Sequence, residues 1–189
     1  IITEESLCYT YGEVYLNNLE GISGVIFPYL MALSDQYLLP ELRYPGWAYS
    51  AECSFADSLE QVYVYSYADQ RASASVEVIR GMADALEQME LTQEELDSYI
   101  ISAYSIITPP STETQEAINA MTDDLRGFDV DQMNRWIQQV KATTVEDQQD
   151  AVAILRILLD QMKVATVGNS AILNADVDEY DAVYDYRQS

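Results

Sequence analysis

Histidine is absent from this sequence. Without an imidazole, neither the ordinary zinc centre nor the His-based nucleophile and general-base arrangements have a member to build on. Basic residues are scarce: 9 Lys and Arg stand against 32 Asp and Glu, for a formal net charge of -23. A surface of that sign repels a phosphate backbone, which excludes nucleic acid as a partner. Cysteine is limited to Cys8 and Cys53, too few for a disulfide framework. Both fall in strand-like stretches and read as small buried apolar residues with free thiols; a nucleophilic role would lack its His partner. No apolar run approaches the roughly 20 residues of a membrane helix, and no signal-like segment opens the chain. No membrane is expected as a partner, and the reading is of a soluble, cytoplasmic protein.

Apolar residues make up 49% of the 189 residues, enough for a substantial core and too many for disorder. Residues 1–189 are expected to form a single domain. The start at Ile1, without an initiator Met, suggests a piece cut from a longer chain. The acidic surface would gather basic peptides at low salt, and it would equally serve solubility.

Residues 7–16 alternate loosely and are rich in aromatics, which predicts a strand, broken by Asn17 and Asn18. From Gly21 to Leu39 the apolar spacing becomes helical, with Pro28 marking a kink or a late helix start. Pro40 and Pro45 bracket the exit. Two strands follow, about 47–55 and 59–67, joined by the turn Ala56-Asp57-Ser58. Trp47, Tyr49, Ala51, Cys53 and Phe55 are expected on one face of the first. Tyr63, Tyr65 and Tyr67 share a face of the second, opposite Val62 and Val64.

Helices fill the next hundred residues. Val76, Ile79, Ala83 and Leu86 form one stripe. Thr92 with Glu95 is a capping box, and Pro109-Pro110 ends the helix it opens. Thr112 with Gln115, Asp129 with Gln132, and Thr144 with Asp147 read as further helix starts, with Gly127 as a stop. The last helix, apolar at Ile154, Leu155, Ile157, Leu158 and Leu159, is expected to be the most buried. Val164–Val167 reads as a short strand, Gly168-Asn169 as a turn, and 176–186 as a surface helix or tail. The order β-α-β-β-α-α-α-α-α-β predicts an α+β domain: an antiparallel sheet with helices packed on one face.

Arg43-Tyr44-Pro45-Gly46-Trp47-Ala48-Tyr49 resembles the R-x-x-G-G-A-Y region in the C-terminal half of the insulinase/pitrilysin family of zinc metallopeptidases, most of all its presequence-protease-like branch. Other stretches resemble the same family in order and spacing. Ser54-Phe55 and Val64-Tyr65-Ser66-Tyr67-Ala68-Asp69 match its F-Y-S-Y-R-D, and Leu91 to Leu96 with Ile100-Ile101 match its L-T-x-E-E-L…I-I. Leu125-Arg126-Gly127, Arg135 and Thr143 to Asp147 match its L-x-G…R…T-x-E-D, and Val164 to Gly168 its closing strand.

The resemblance implies a LuxS/MPP-like domain, the last of four similar ones that close in two halves around a chamber. It places the zinc, on H-x-x-E-H, in the N-terminal half of the parent, so no metal or other cofactor is expected in this chain. The expected partners are a peptide substrate and that N-terminal half, either in the same polypeptide or as a separate subunit. By position in the motif, Arg43 would bind the substrate backbone, and Tyr49 would bind substrate and stabilise the oxyanion of the transition state. The sequence departs from the pattern at Trp47, where the family has a second Gly, and at Ala68, where it has Arg.

Other readings stay beside this one. The domain could belong to an inactive homologue that acts as a scaffold or partner-binding subunit, or stand alone as an acidic binding module. Arg43 could neutralise a helix C-terminus, and Tyr49 could be an inward strand aromatic. Trp47 and the Tyr63/Tyr65/Tyr67 row read as sheet packing. Glu94, Glu95, Asp123 and Asp124 read as solvated helix charges, and Asp176-Val177-Asp178-Glu179 lacks the glycine and spacing of a calcium loop.

Overall fold

The computed structural model describes residues 1–3, 7–16, 19–56, 58–126, 129–175, 178 and 180–185. Asn17, Asn18, Asp57 of the expected hairpin turn, Gly127, the Asp123 side chain, and Asp176, Val177, Glu179 and Tyr186 of the C-terminal segment, three of them in the weighed calcium loop, lie outside the described residues. Alternation builds the sheet. Cys8, Thr10, Gly12 and Val14 of strand β2 (Cys8–Tyr15) point inward, as do Val62, Val64 and Ser66 of β4 (Gln61–Asp69). With β3 (Ser50–Phe55) and β5 (Lys163–Asn169) these form a four-stranded antiparallel sheet, ordered β5-β2-β4-β3. The two-residue β1 (Ile2–Thr3) adds to β5 in parallel.

The helices are α1 (Ile26–Leu33), α2 (Ala72–Arg80), α3 (Met82–Gln88), α4 (Gln93–Ile107), α5 (Glu113–Arg126), α6 (Val130–Ala142), α7 (Gln148–Gln161) and α8 (Ser170–Ala175). Residues of α1, α2, α3, α4, α6 and α7 share one hydrophobic core with the inward side chains of the sheet. The α+β order expected from the sequence holds, with the helix of the Val76–Leu86 stripe interrupted at Gly81 and β1 and α8 added at the ends. Helix starts fall where capping side chains stand: Thr92 and Thr144 close capping boxes, and Asp129 accepts from the Gln132 amide at 3.0 Å.

The late helix start is the one of the two readings of Pro28 that holds: the helix after Gly21 begins at Ile26, which leaves Pro28 in its first turn, where its missing N–H costs nothing. Other expectations are corrected. This helix does not stop at Leu39. A π-helical segment, Ser34–Arg43, carries it through Pro40, and the Ser34 hydroxyl ties it to β3 by hydrogen bonds of 2.6 Å to the Cys53 N–H and C=O. The most buried helix is α1, where every residue but Met31 is buried, whereas Ile157 of α7 is 40% exposed. Gly168 is part of β5 rather than a turn. Its φ of +149° and the Leu7 carbonyl, which a Cβ would meet at 2.3 Å, require glycine there.

The tyrosines take the outer face. Tyr9, Tyr11 and Tyr15 of β2 and Tyr63, Tyr65 and Tyr67 of β4 point away from the helices, and Tyr67 is 51% exposed. They pack on one another: Tyr11 on Tyr63, Tyr63 on Tyr65, and Tyr9 edge-on to Tyr67 at 5.0 Å. The row expected to be sheet packing is an open aromatic surface, because Val62 and Val64 claim the core side of the strand. Helix α5 carries Ile118, Met121 and Leu125 in one exposed stripe, and none of its described residues is buried.

Candidate functional site

The loop that carries Arg43 and Tyr49 is fixed at both ends by the chain's own hydrogen bonds. Arg43 ends the π-helical segment, where the Tyr44 N–H still reaches back to the Leu39 carbonyl at 2.9 Å. The Leu42 carbonyl then accepts from both Trp47 and Ala48, at 3.2 and 3.0 Å. Gly46, at φ +81°, turns the chain in the left-handed region that glycine adopts without strain. Beyond it, the Tyr49 N–H donates to the Tyr67 carbonyl at 2.9 Å, and the Gln70 N–H donates to the Trp47 carbonyl at 3.1 Å. Leu42 and Ala48 are buried and anchor the loop from below.

Arg43 and Tyr49 themselves are exposed, Tyr49 at 73%. Tyr49 does not share the inward face of β3 with Ala51, Cys53 and Phe55. Regular pairing begins only at Ser50, and the Tyr49 ring lies edge-on to Tyr67 at 6.3 Å, beside the open tyrosine face. A phenol there is free of the core, and a guanidinium six positions earlier leaves the end of a helical segment toward solvent. The first can donate one hydrogen bond to an oxygen; the second offers a planar fork of donors.

The two departures from the family pattern have local explanations. Trp47 is half-buried, and its indole is covered by the Arg71 guanidinium at 3.7 Å from the ring centroid. Ala68 sits at φ +54°, a backbone position that bulges β4 just before Asp69. That bulge turns Asp69 inward, where it is fully buried. Its carboxylate accepts from the Ser66 hydroxyl at 2.7 Å, from the Arg71 N–H at 2.7 Å and from the Ser75 hydroxyl. Asp69 thereby joins the end of β4 to the first turn of α2. Its part went unread in the sequence, where it figured only as the last letter of a motif.

Among the described residues, no group of three or more Cys, Asp and Glu is placed to hold a metal ion. Cys8 and Cys53 are free and buried, and burial pushes both thiols up from their usual value. The residues present do not fit a zinc site. No helix among the described residues is long and apolar enough to cross a membrane.

No family model matches the chain. Over 179 residues, 94% of its length, it is 21% identical to presequence protease 1, chloroplastic/mitochondrial, of Arabidopsis thaliana, and it spans 16% of that protein. Among solved structures, a presumed zinc protease from Bordetella pertussis Tohama I matches with a TM-score of 0.59 at 15% identity, over 86% of this chain and 94% of that one. The inactive peptidase domain of a presumed zinc protease from Bordetella parapertussis matches with a TM-score of 0.61 at 13% identity, over 88% and 94%. A conserved protein of Enterococcus faecalis V583 matches at 0.62 and 9% identity, over 89% of this chain and 41% of that one. The fold is shared with these domains, and the sequence likeness to the presequence protease runs over 94% of the chain.

Proposed function

We propose that this chain, akin to a presequence protease over nearly all its length, is the non-catalytic C-terminal domain of an insulinase-type zinc endopeptidase. In that reading it completes a peptide-binding chamber whose metal belongs to the N-terminal half of the parent. Arg43 holds backbone carbonyls of an extended peptide. Tyr49 donates its phenolic hydrogen to the oxygen that becomes negative when the scissile carbonyl is attacked. The observation that carries the reading is the placement of both side chains in solvent, on a loop otherwise pinned by backbone hydrogen bonds. A rigid loop with two projecting polar groups pre-organises donors for a ligand that arrives from outside.

The exposed stripe of Ile118, Met121 and Leu125 on α5 suits a surface that docks against the rest of such a parent. Two free buried thiols suit a reducing, cytoplasmic setting.

In the full-length parent, Tyr49→Phe should lower turnover on the order of 10²-fold while leaving the Michaelis constant little changed. Equal losses in both, or no loss, would refute the role. A second reading, an inactive homologue serving as scaffold, draws on the Trp47 and Ala68 departures. An upstream H-x-x-E-H in the same reading frame, with a distant Glu, selects the peptidase; its absence there and in any partner selects the scaffold.

A further inference from the structure

We infer that Arg71, resting on Trp47, is a specificity residue beside Tyr49: its guanidinium takes a carboxylate of the bound peptide, from an acidic side chain or from the end of the peptide. This deepens the chamber reading, on which the peptide nature of the ligand rests; the preference for a carboxylate is a property of this chain.

The first ground is position. Trp47 lies in the loop between Arg43 and Tyr49, and its carbonyl accepts from the Gln70 N–H at 3.1 Å. The Arg71 N–H donates to the buried Asp69 carboxylate at 2.7 Å. The backbone on both sides of the contact is therefore held, and the exposed Arg71 guanidinium stands 3.7 Å from the centroid of the Trp47 ring. An indole attracts a cation through its face but offers no hydrogen-bond acceptor. The fork of donors is thus steadied without being neutralised, and a planar carboxylate is the group that matches it bidentately.

The second ground is charge. Arg135 pairs with Asp129, and Arg156 pairs with Asp84 and Glu87. Among the described residues no carboxylate forms an ion pair with Arg71 or with Arg43, although the chain carries 32 Asp and Glu. Asp69, two positions before Arg71, is turned into the core and engages Ser66, Ser75 and the Arg71 backbone instead of the guanidinium. The Tyr49 loop is thus flanked by two guanidiniums, a local cationic spot on a chain whose net charge is -23. That net charge repels an acidic ligand from afar, but physiological salt screens the repulsion beyond ~8 Å, and a contact pair forms inside that distance.

The test uses the 189-residue chain at physiological salt. Fluorescence anisotropy compares three short labelled peptides of otherwise identical sequence: one with a central Glu and an amidated end, one with Gln in place of the Glu, and the Gln peptide with a free terminal carboxylate. The Glu peptide, the free-end peptide or both should bind about tenfold more tightly than the amidated Gln peptide, and which of them does identifies the source of the carboxylate. Arg71→Gln should abolish that preference and leave the affinity for the amidated Gln peptide unchanged. Trp47→Leu, which removes the ring that steadies the fork, should reduce the preference. Arg156→Gln, which changes the net charge by the same amount elsewhere, should leave it intact. Three peptides that bind alike, or none that binds measurably, would overturn the inference. So would a preference that survives Arg71→Gln or Trp47→Leu in full, or one that Arg156→Gln removes equally. None of these outcomes depends on the Tyr49→Phe kinetics in the full-length protein: lost turnover without a carboxylate preference sinks this inference alone, and a preference without lost turnover sinks only the role of Tyr49.

Discussion

The Arg71 guanidinium covers the Trp47 indole, its central carbon 3.7 Å from the ring centroid. The contact links the turn that follows the π-helical segment to the start of α2, so it spans both sides of the loop bearing Tyr49. It also gives a bulky ring a place to lie where a glycine would leave the loop free. A cation–π contact at a partly exposed site contributes about 0.5–1 kcal/mol. A double-mutant cycle of Trp47→Ala and Arg71→Ala, read by urea unfolding, should return a coupling energy of that size. Coupling near zero would reduce the pair to coincidence.

Asp69 makes a stronger demand. Removing its carboxylate strands two hydroxyls and a backbone N–H in the interior, and Asp69→Ala should cost about 3 kcal/mol. Asp69→Asn should cost far less. Its amide oxygen can accept from the Arg71 N–H while its NH2 donates to Ser66 and Ser75, whose hydroxyls can turn to accept. Thermal unfolding of the two variants checks the order. If Asn proves as damaging as Ala, the negative charge and not hydrogen-bond satisfaction holds this corner.

What the sequence revealed follows from how local each signal is. Thr92, Asp129 and Thr144 announce helix starts because a capping side chain bonds to an amide two or three residues on. The β3–β4 hairpin was legible for the same reason. The π-helical segment was not, since bonds spanning five residues leave no apolar period to recognise, and Pro40 looked like an ending. The place of β5 beside β2 depends on contacts more than a hundred residues apart. Alternation from Trp47 to Phe55 pointed Tyr49 inward, but the strand that enforces alternation starts one residue later. Tyrosines alternating with valines fit either face of a sheet; packing against α1 and its neighbours assigns the valines to the core. Arg43 and Tyr49 were singled out by motif alone, and no feature of composition or periodicity distinguishes them.

The N-terminus of α4 supplies a test in pH. The Glu95 carboxylate accepts from the Thr92 N–H at 2.8 Å and from the Thr92 hydroxyl at 2.7 Å, and these bonds hold its pKa below the usual 4.5. Because the folded value is depressed, the bonds stabilise the folded chain fully above the unfolded value. That contribution fades as pH falls through the lowered folded value. Acid also relieves repulsion among the many other carboxylates, but that effect is common to any variant of this one position. The informative quantity is therefore the difference in urea midpoint between the parent sequence and Glu95→Ala. It should be constant from neutral pH down to about 5 and shrink below about 4.5, while Glu95→Gln, which keeps an acceptor without a titrating proton, should show no such shrinkage relative to Ala. A gap between parent and Ala that stays flat into the acid range would show that the capping box contributes through its geometry and owes nothing to the charge.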